Sequence, residues 1–422
     1  MNKLQSLVSK LEKRHKRKID LTLDRTFNLL KKLGNPQDKL NNVINVIGTN
    51  AKASISYSLK SILNQAGYKC NLYTSPHLQS FTERFIFDDE EIKEEQLVEL
   101  LNDIEKILGN DNATLFEILT CAFLKYAENY KENINIVEAG LFFQFDSTNV
   151  FKNNLMTLIG LIHIDHLHWL KNKTIDGIIH EKTSKLLNSN IFINRQLNEE
   201  IRVKIEEAIK YNLSNKFFFG KEFNISKQEN GFIHYQDNIG EIILPEPNVL
   251  GDHQLYNIST SIAASRKIFN IEDEHIKKGI TNIKLKGRLQ ELYSGKLKDI
   301  SGKNRLIIDG GHNESSSISI SSWIKQQHQD VHLICGMMKD KEHYKFMKHF
   351  KGIVKSITLI DIPNQDGSIS KEEFNEKLSD LKININLSQS IEDAVKLNSK
   401  HQDSICLIAG SLYLVGEVLN LN

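Results

Sequence analysis

Short runs rich in Val, Ile and Leu recur along the sequence, each closing on a glycine or a polar cluster and followed by a helical stretch. Alternation of this kind specifies parallel strands covered by helices, an α/β class of fold. The clearest instance is VINVIG (43–48), the loop TNAKA, and a helix placed from Ser54. On that helix Ile55, Leu59, Ile62, Leu63 and Ala66 share one face, and Gly67 is placed to end it. Further strands are expected at 70–74, 134–140 and 156–165. The pattern restarts after Gly287, with a strand at 305–308, a helix at 315–327, and strands at 331–336, 356–362 and 405–410. In a chain of 422 residues this predicts two domains, 1–285 and 286–422, the second long enough for its own core.

Charge and hydropathy exclude several function classes. Lys+Arg 54 against Asp+Glu 53 leaves a net charge of +1, so no global field recruits nucleic acid or an anionic membrane. The longest apolar stretch, around 155–164, is interrupted by Thr157 and His163. It falls short of the roughly 20 residues a membrane helix needs. The opening MNKLQSLVSKLEKRHKRK is charged throughout and holds no apolar signal core. Its basic part, 10–18, is interrupted by Glu12 and reads as a solvated helix face. Cys70, Cys121, Cys335 and Cys406 stand apart, with no CxxC pair. The expectation is a cytoplasmic globular protein with no nucleic-acid or membrane partner.

Several segments carry chemistry. In GTNAKAS (48–54), backbone N–H groups at a helix N-terminus can hold an anion, Lys52 can neutralise phosphate, and Ser54 can reach Mg²⁺. The strict GxxxxGK[ST] pattern fails, because Val46 and Ala51 replace its glycines and Ala53 its hydroxyl residue. Taken alone, the segment also fits an ordinary β–α turn with an exposed lysine. SPHLQSFTERF (75–85) gathers polar residues in one loop after a strand, where ligands bind in α/β sheets. Glu138 follows a buried run and needs an arginine, an amide or a cation as partner. HIDHLHW (163–169) matches no zinc spacing, and leaves open an oxygen-rich Mg²⁺ site with one imidazole or a satisfied loop histidine. DGGHN (309–313) repeats strand, Gly-rich turn and helix, and GRLQ (287–290) puts Arg288 at the expected junction, as a ligand contact or a salt bridge.

Taken in order, GTNAKAS, YTSPHLQSFTERF, LFEILTCAF, VEAGLFFQFDSTNV, GLIHIDHLHWL, HEKTSK, LGDHQLYNISTSIAA, GRLQ, DGGHN and GSLYLVGEVL resemble the folylpolyglutamate synthase/dihydrofolate synthase family of the Mur ligase superfamily. The match runs from about Ile19 to near the C-terminus. It implies a Mur-ligase-like P-loop domain with a parallel sheet, a smaller Rossmann-like C-terminal domain, and ATP between them. It also implies a reaction: ATP phosphorylates a carboxylate, and L-glutamate attacks the acyl phosphate to form an amide. Dihydropteroate as acceptor yields dihydrofolate, and a reduced folate is extended at its γ-carboxylate. Relatives are commonly monomers.

By position, the resemblance implies that Gly48, Thr49, Asn50, Lys52 and Ser54 hold the ATP phosphates, with Ser54 also on Mg²⁺. It places Ser75 and Glu138 on the first Mg²⁺, His166 on a second metal, and Lys182 as a metal-binding carbamate. Lys52, Glu138, His166 and Lys182 would carry catalysis. His253, Gln254 and Asn257 match the HQ–N motif near the nucleotide, and Arg288, Asp309 and His312 match contacts from the second domain. Arg84, Phe116 and Asp146 lie in segments that shape the folate pocket. The family's GTNGKGS, GLGGR and EKAG become GTNAKAS, GLFFQ (140–144) and EKTS (181–184) here. These changes motivate one alternative, a catalytically silent nucleotide- or folate-binding protein; another is a ligase with one of the two activities or acting on another carboxylate, because acceptor choice depends on pocket shape.

Overall fold

A central strand buried on both faces needs apolar side chains at every position, and VINVI supplies them: β1 (Val43–Ile47) is buried throughout. The computed structural model describes residues 3–15, 20–228 and 231–422. Residues 16–18 of the basic stretch and Ile19, where the resemblance begins, lie outside the described residues. The described chain divides into two compact units, Met1–Asn248 with Leu255–Ile283, and Val249–Gln254 with Lys284–Asn422.

The first unit contains β1, β2 (Cys70–Tyr73), β3 (Phe85–Phe87), β4 (Glu90–Glu91), β5 (Ile134–Glu138), β6 (Met156–Ile159), β7 (Asn190–Ile193) and β8 (Lys216–Phe218) in one eight-stranded sheet. Their order is β4-β3-β2-β5-β1-β6-β7-β8, parallel from β2 to β8, with β3 and β4 antiparallel at one edge. Helices α1 (Lys3–Glu12), α2 (Asp24–Lys32), α4 (Glu94–Leu108) and α5 (Leu115–Ala127) contribute to one core with Tyr73, Phe85 and Val137. Between them in sequence, α3 (Lys52–Gln65) buries Ile55, Leu59, Ile62 and Leu63, the expected face. A second core gathers Ile47, Ile159 and Ile193 with α6 (Ile175–Thr183) and α7 (Glu199–Ala208). The basic opening is an amphipathic helix: α1 buries Leu4, Leu7, Val8 and Leu11, while Lys10 pairs with Glu105.

Beyond β8 the chain forms a three-stranded antiparallel sheet, β9 (Phe223–Lys227), β10 (Ile233–Asp237) and β11 (Glu241–Leu244), which the α/β reading does not anticipate. α8 (Asp252–Ile268) follows, then α9 (Asp273–Ile280). α9 meets α3 at Gly279, where a Cβ would lie 2.7 Å from Ile62 Cα. The second unit orders β12 (Gln290–Leu292), β13 (Arg305–Asp309), β14 (Val331–Cys335), β15 (Ser356–Leu359), β16 (Ile385–Leu387) and β17 (Ile405–Ala409) as β12-β13-β17-β14-β15-β16. All neighbours are parallel except the β12–β13 pair. Its helices are α10 (Lys296–Ser301), α11 (Glu314–Lys325), α12 (His343–Met347), α13 (Lys371–Lys377), α14 (Ile391–Asn398) and α15 (Leu412–Leu421). The α/β class with parallel sheets is as expected. Among the described residues no helix is long and apolar enough to cross a membrane.

Boundaries differ in instructive ways. The strand expected at 156–165 stops at Ile159, because Leu161 turns its carbonyl to accept the N–H groups of Thr49 (2.8 Å) and Asn50 (3.0 Å). The polar run at 75–85 is not all loop: a 3₁₀ turn spans Phe81–Arg84 and β3 begins at Phe85. α3 starts at Lys52 rather than Ser54, since Ala51, with φ +73°, stands in the left-handed region as its N-cap.

An alanine in that region is strained relative to glycine by about 1 kcal/mol. Ala51→Gly should therefore raise stability in urea unfolding by about that amount. Unchanged or lower stability would contradict the left-handed backbone at this position.

Candidate active site

The loop between β1 and α3 is held backbone against backbone. A Cβ on Gly48 (φ +147°) would lie 3.0 Å from Asn50 O, and one on Gly160 only 2.5 Å from the same oxygen. Thr49 Oγ1 donates to His163 O (2.9 Å) and accepts from His163 N–H (3.1 Å). Gln196 accepts from Ile162 N–H (2.9 Å) and donates to Gly160 O (3.2 Å) and Asn194 O (2.8 Å). These bonds join the ends of β1, β6 and β7 at the C-terminal edge of the parallel sheet, where α/β folds bind ligands.

Two lysines converge on this loop. Lys52 Nζ donates to Gly48 O (3.1 Å) and Thr49 O (3.2 Å). Lys182, in the last turn of α6, donates to the same Gly48 O (2.9 Å) and to Leu141 O (2.8 Å). Its Nζ lies 5.4 Å from the Phe142 ring centroid, and the residue is only 3% exposed. Burial, and then the charge of Lys52, pulls Lys182 down to about 7. It thus sits at the balance between ammonium and amine near neutral pH. Ser54 is buried in the first turn of α3.

The turn after β5 supplies the second partner of Lys182. Asp146 Oδ2 accepts the N–H groups of Gly140 (3.0 Å) and Leu141 (3.1 Å). Its Oδ1 accepts from Thr148 N–H (3.0 Å) and Oγ1 (2.6 Å). Burial raises the Asp146 pKa against these bonds, which favour the carboxylate. Asp146 therefore organises the turn that offers Leu141 O to Lys182. Gly140 admits Phe116, whose ring would lie 2.6 Å from a Cβ there. Phe142 and Phe143, where the family pattern has glycines, are buried in the α6-side core. The N–H groups of Phe143 and Gln144 donate to Glu181 O (3.2 and 2.9 Å), and Ser184 Oγ donates to Gln144 Oε1 (3.2 Å). The turn is apolar and anchored at both Glu181 and Ser184.

Glu138 ends β5 in register beside Val46 and is 2% exposed. In the loop after β2, Ser75 is half-buried. Glu83 accepts the N–H groups of Leu78 (2.8 Å), Gln79 (2.9 Å) and Ser80 (3.0 Å), which closes the loop. Arg84 Nε donates to His77 Nδ1 (2.9 Å), and both side chains pack on Phe81. Burial and the Arg84 charge lower His77 to about 3, so it stays a neutral acceptor. Tyr57 of α3 is hydrogen-bonded to Thr74; burial chiefly raises its pKa, and the charge of Glu138 adds to this. Tyr57, His77 and Glu83 are absent from the sequence-based site. Only the helix geometry and loop closure place them there.

His166 (φ +56°) opens a 3₁₀ turn, with its N–H on Asp165 Oδ1 (2.8 Å). Among the described residues no group of three or more His, Cys, Asp and Glu could cage a metal ion. Taken singly, Ser54 and Ser75 offer hydroxyls, Glu138 a carboxylate and His166 an imidazole, donor types that suit Mg²⁺, which keeps waters and substrate phosphates rather than demanding an all-protein cage.

In the second unit, Asp309 at the end of β13 accepts Leu289 N–H (2.8 Å) and Gly311 N–H (2.7 Å), tying GRLQ to DGGHN. Burial raises its pKa, opposed by Arg288. Arg288 Nη1 donates to Gly287 O (2.9 Å), and His312 Nδ1 lies 3.0 Å from Gly310 O. His253 packs against Gly251, where a Cβ would lie 2.7 Å from its ring, and Arg288 is close enough to oppose its protonation. Gln254 is buried in this unit, whereas Asn257, three residues on along α8, belongs to the first and accepts from Asn194 Nδ2 (2.8 Å).

The lowered Lys182 pKa carries a stability consequence. An unfolded lysine titrates near 10.4, so from about pH 7 to 10 the unfolded chain holds a proton that the folded chain does not. Stability rises with pH through that window. Lys182→Met should be more stable than the parent at pH 6, and the advantage should shrink toward pH 10 in chemical unfolding. A difference that does not vary with pH would contradict the depressed lysine.

Comparison with known proteins places this geometry. The family described as "Dihydrofolate synthetase, C-terminal domain" matches residues 295–421. The dihydrofolate synthase/folylpolyglutamate synthase of Bacillus subtilis (strain 168) is 28% identical over 419 residues, covering 94% of each chain. Its Escherichia coli (strain K12) counterpart is 26% identical over 428 residues, covering 99% of this chain and 95% of its own. The structure of E. coli FolC in complex with DHPP and ADP superposes with a TM-score of 0.87 at 25% identity, covering 99% of this chain and 97% of that one. The likeness thus includes the Mur-ligase-like two-domain architecture as well as the sequence. Over nearly its whole length the chain is thus similar to dihydrofolate synthase/folylpolyglutamate synthases.

Proposed function

We propose that this protein is an ATP-dependent ligase that joins L-glutamate to folates, forming dihydrofolate from dihydropteroate and extending the γ-carboxylate of reduced folates. The observation that carries the reading is the pair of lysines meeting at Gly48 O, where a strand, an anion-binding loop and a helix N-terminus coincide. Joining a triphosphate to a carboxylate brings anions together, and the positive charge of Lys52 at that point lowers the barrier.

In this reading Lys52 and the N–H groups of Gly48, Thr49 and Asn50 orient the phosphates, with Ser54 beside them. Ser54, Ser75, Glu138, His166 and a carbamate on Lys182 would hold Mg²⁺, which offsets phosphate charge when bound. The amine form of Lys182 can add to CO₂ with loss of a proton, which makes its near-neutral titration relevant. Phe116 offers a ring face to the pterin, Arg84 a cation to the acceptor's carboxylate, and Asp146 holds the turn beside them. His253, Gln254, Asn257, Arg288, Asp309 and His312 contact the nucleotide. The proposed boundary between the ATP-binding and C-terminal ligase domains, 285/286, falls two residues beyond the Ile283–Lys284 division of the compact units. The enzyme works in the cytoplasm, as a monomer.

Ala51 and Phe142–Gln144 do not favour a silent binder. The left-handed N-cap persists at Ala51, and the replaced glycines form an anchored turn that still presents Leu141 O to Lys182. Purified protein with ATP, Mg²⁺ and L-glutamate should release ADP and yield glutamylated product from both dihydropteroate and a reduced folate. Product from one acceptor alone would assign the narrower ligase, and ATP binding without turnover would overturn the ligase reading. Lys52→Ala should lower turnover by roughly 10²-fold or more with little change in unfolding temperature. Near-normal turnover would remove Lys52 from the site.

A further inference from the structure

At the end of the second unit's sheet that lies away from Asp309, two imidazoles stand face to face. His332 is the second residue of β14, and His401 sits in the turn between α14 and β17. Their ring centroids are 4.2 Å apart and their planes 15° from parallel. His332 is only 4% exposed, whereas His401 is exposed. His332 Nδ1 and Ser356 Oγ share a hydrogen bond of 2.8 Å, which holds the buried ring against β15. An exposed imidazole thus covers one face of a buried one.

The turn that carries His401 leads into β17, a strand paired on both sides by β13 and β14. Its bonds run to the same end of the sheet. Ser404 Oγ donates to His401 O (3.1 Å) and Ser404 N–H to Asn304 Oδ1 (3.1 Å). Gln329 Nε2 donates to Asp403 O (3.0 Å), and Ile405 N–H to Asp330 O (2.9 Å). Residues 399–404 form a flap over the entry to β17, with the His401 ring laid on His332.

Charged and titratable neighbours come from every element around the pair. Asp330 and Lys355, before β14 and β15, are 3.5 Å apart and exposed. Cys406 of β17 is the register partner of His332, and α14 turns Asn398 toward it while Asp393 and Lys396 are exposed. Lys400 and Asp403 flank His401 on the turn, also exposed. Burial holds His332 below the ordinary imidazole range, His401 and Lys355 add to this, and Asp330 opposes it. Stacked imidazoles attract while at most one is protonated, since a cation then meets a neutral ring face. A proton on both puts like charges in contact beside a buried strand, and the exposed partner is the one free to leave. An unfolded imidazole titrates near 6.5, so just below that pH the opened form holds a proton that the closed form lacks. The closed turn is therefore fully stable near neutrality and loses stability as pH falls below about 6.5.

We propose that the His332–His401 stack is an acid-released latch, which holds residues 399–404 over the start of β17 near neutral pH and frees them on acidification. It does not depend on the ligase reading, because it lies at the far end of the sheet from Asp309.

The test is hydrogen exchange of the full chain near pH 7 and near pH 5.5, read at residues 400–405 as protection corrected for the intrinsic pH dependence. Protection in the parent should fall about tenfold at the lower pH. His332→Gln keeps an amide for Ser356 and takes no proton, while His401→Phe keeps a stacked ring without a second charge. Both variants should hold their protection. Equal protection in the parent at the two pH values, or a loss that persists in either variant, would overturn the latch. Should a variant fail to fold, the imidazole resonances of the parent decide. Protonation of His332 must then coincide with the loss of protection, and a protonated His332 beneath a protected turn would contradict the proposal.

Discussion

One carbonyl, that of Gly48, organises much of the first unit. It accepts from Lys52 on the helix that follows it and from Lys182 on a helix far along the chain. Two ammonium groups sharing one acceptor repel each other, and burial makes that repulsion costly. The chain tolerates the cost by letting Lys182 titrate near neutrality, with Leu141 O as its second acceptor. Groups with perturbed titration gather where charge must be managed during a reaction. In the proposed reading Lys182, beside Lys52, is such a place.

Several neighbouring contacts hold the loop that carries that carbonyl. Gly160 leaves room for Asn50, Leu161 takes the N–H groups of the loop, and Gln196 extends the bracing to β7. On the other side Asp146 folds the turn that presents Leu141 O. Where the family pattern has glycines, this chain uses Ala51 under strain and Phe142 and Phe143 buried in the core. The left-handed N-cap and the anchored turn are both formed with these larger residues. That combination suits a site whose parts must be pre-placed rather than assembled during binding.

Strand–loop–helix units were legible in the sequence because their periodicity and glycine punctuation are local. Val43–Ile47, Arg305–Asp309 and the buried face of α3 lie where the pattern predicts them. The end of β6 was not legible, since the apolar run continues to Ile162 and only a tertiary bond at Leu161 stops the strand. The sheet of β9–β11 shows its alternation in Phe223 and Ile225, Ile233 and Tyr235, Ile242 and Leu244, but a search for α/β units passes over it. The order of motifs marked Lys52, Glu138 and Lys182, whereas the shared acceptor at Gly48 is a contact between residues 134 positions apart. Tyr57 carries no motif at all, and only its hydrogen bond to Thr74 and its nearness to Glu138 bring it into the site.

The central claim is that this site moves a phosphoryl group from ATP onto the carboxylate of a folate acceptor. The most direct measurement uses dihydropteroate with both carboxylate oxygens labelled with ¹⁸O, in the presence of ATP, Mg²⁺ and L-glutamate. Activation through an acyl phosphate transfers one acceptor oxygen to phosphate, so the inorganic phosphate released should carry one ¹⁸O per amide formed. Unlabelled phosphate accompanying amide formation would contradict the account.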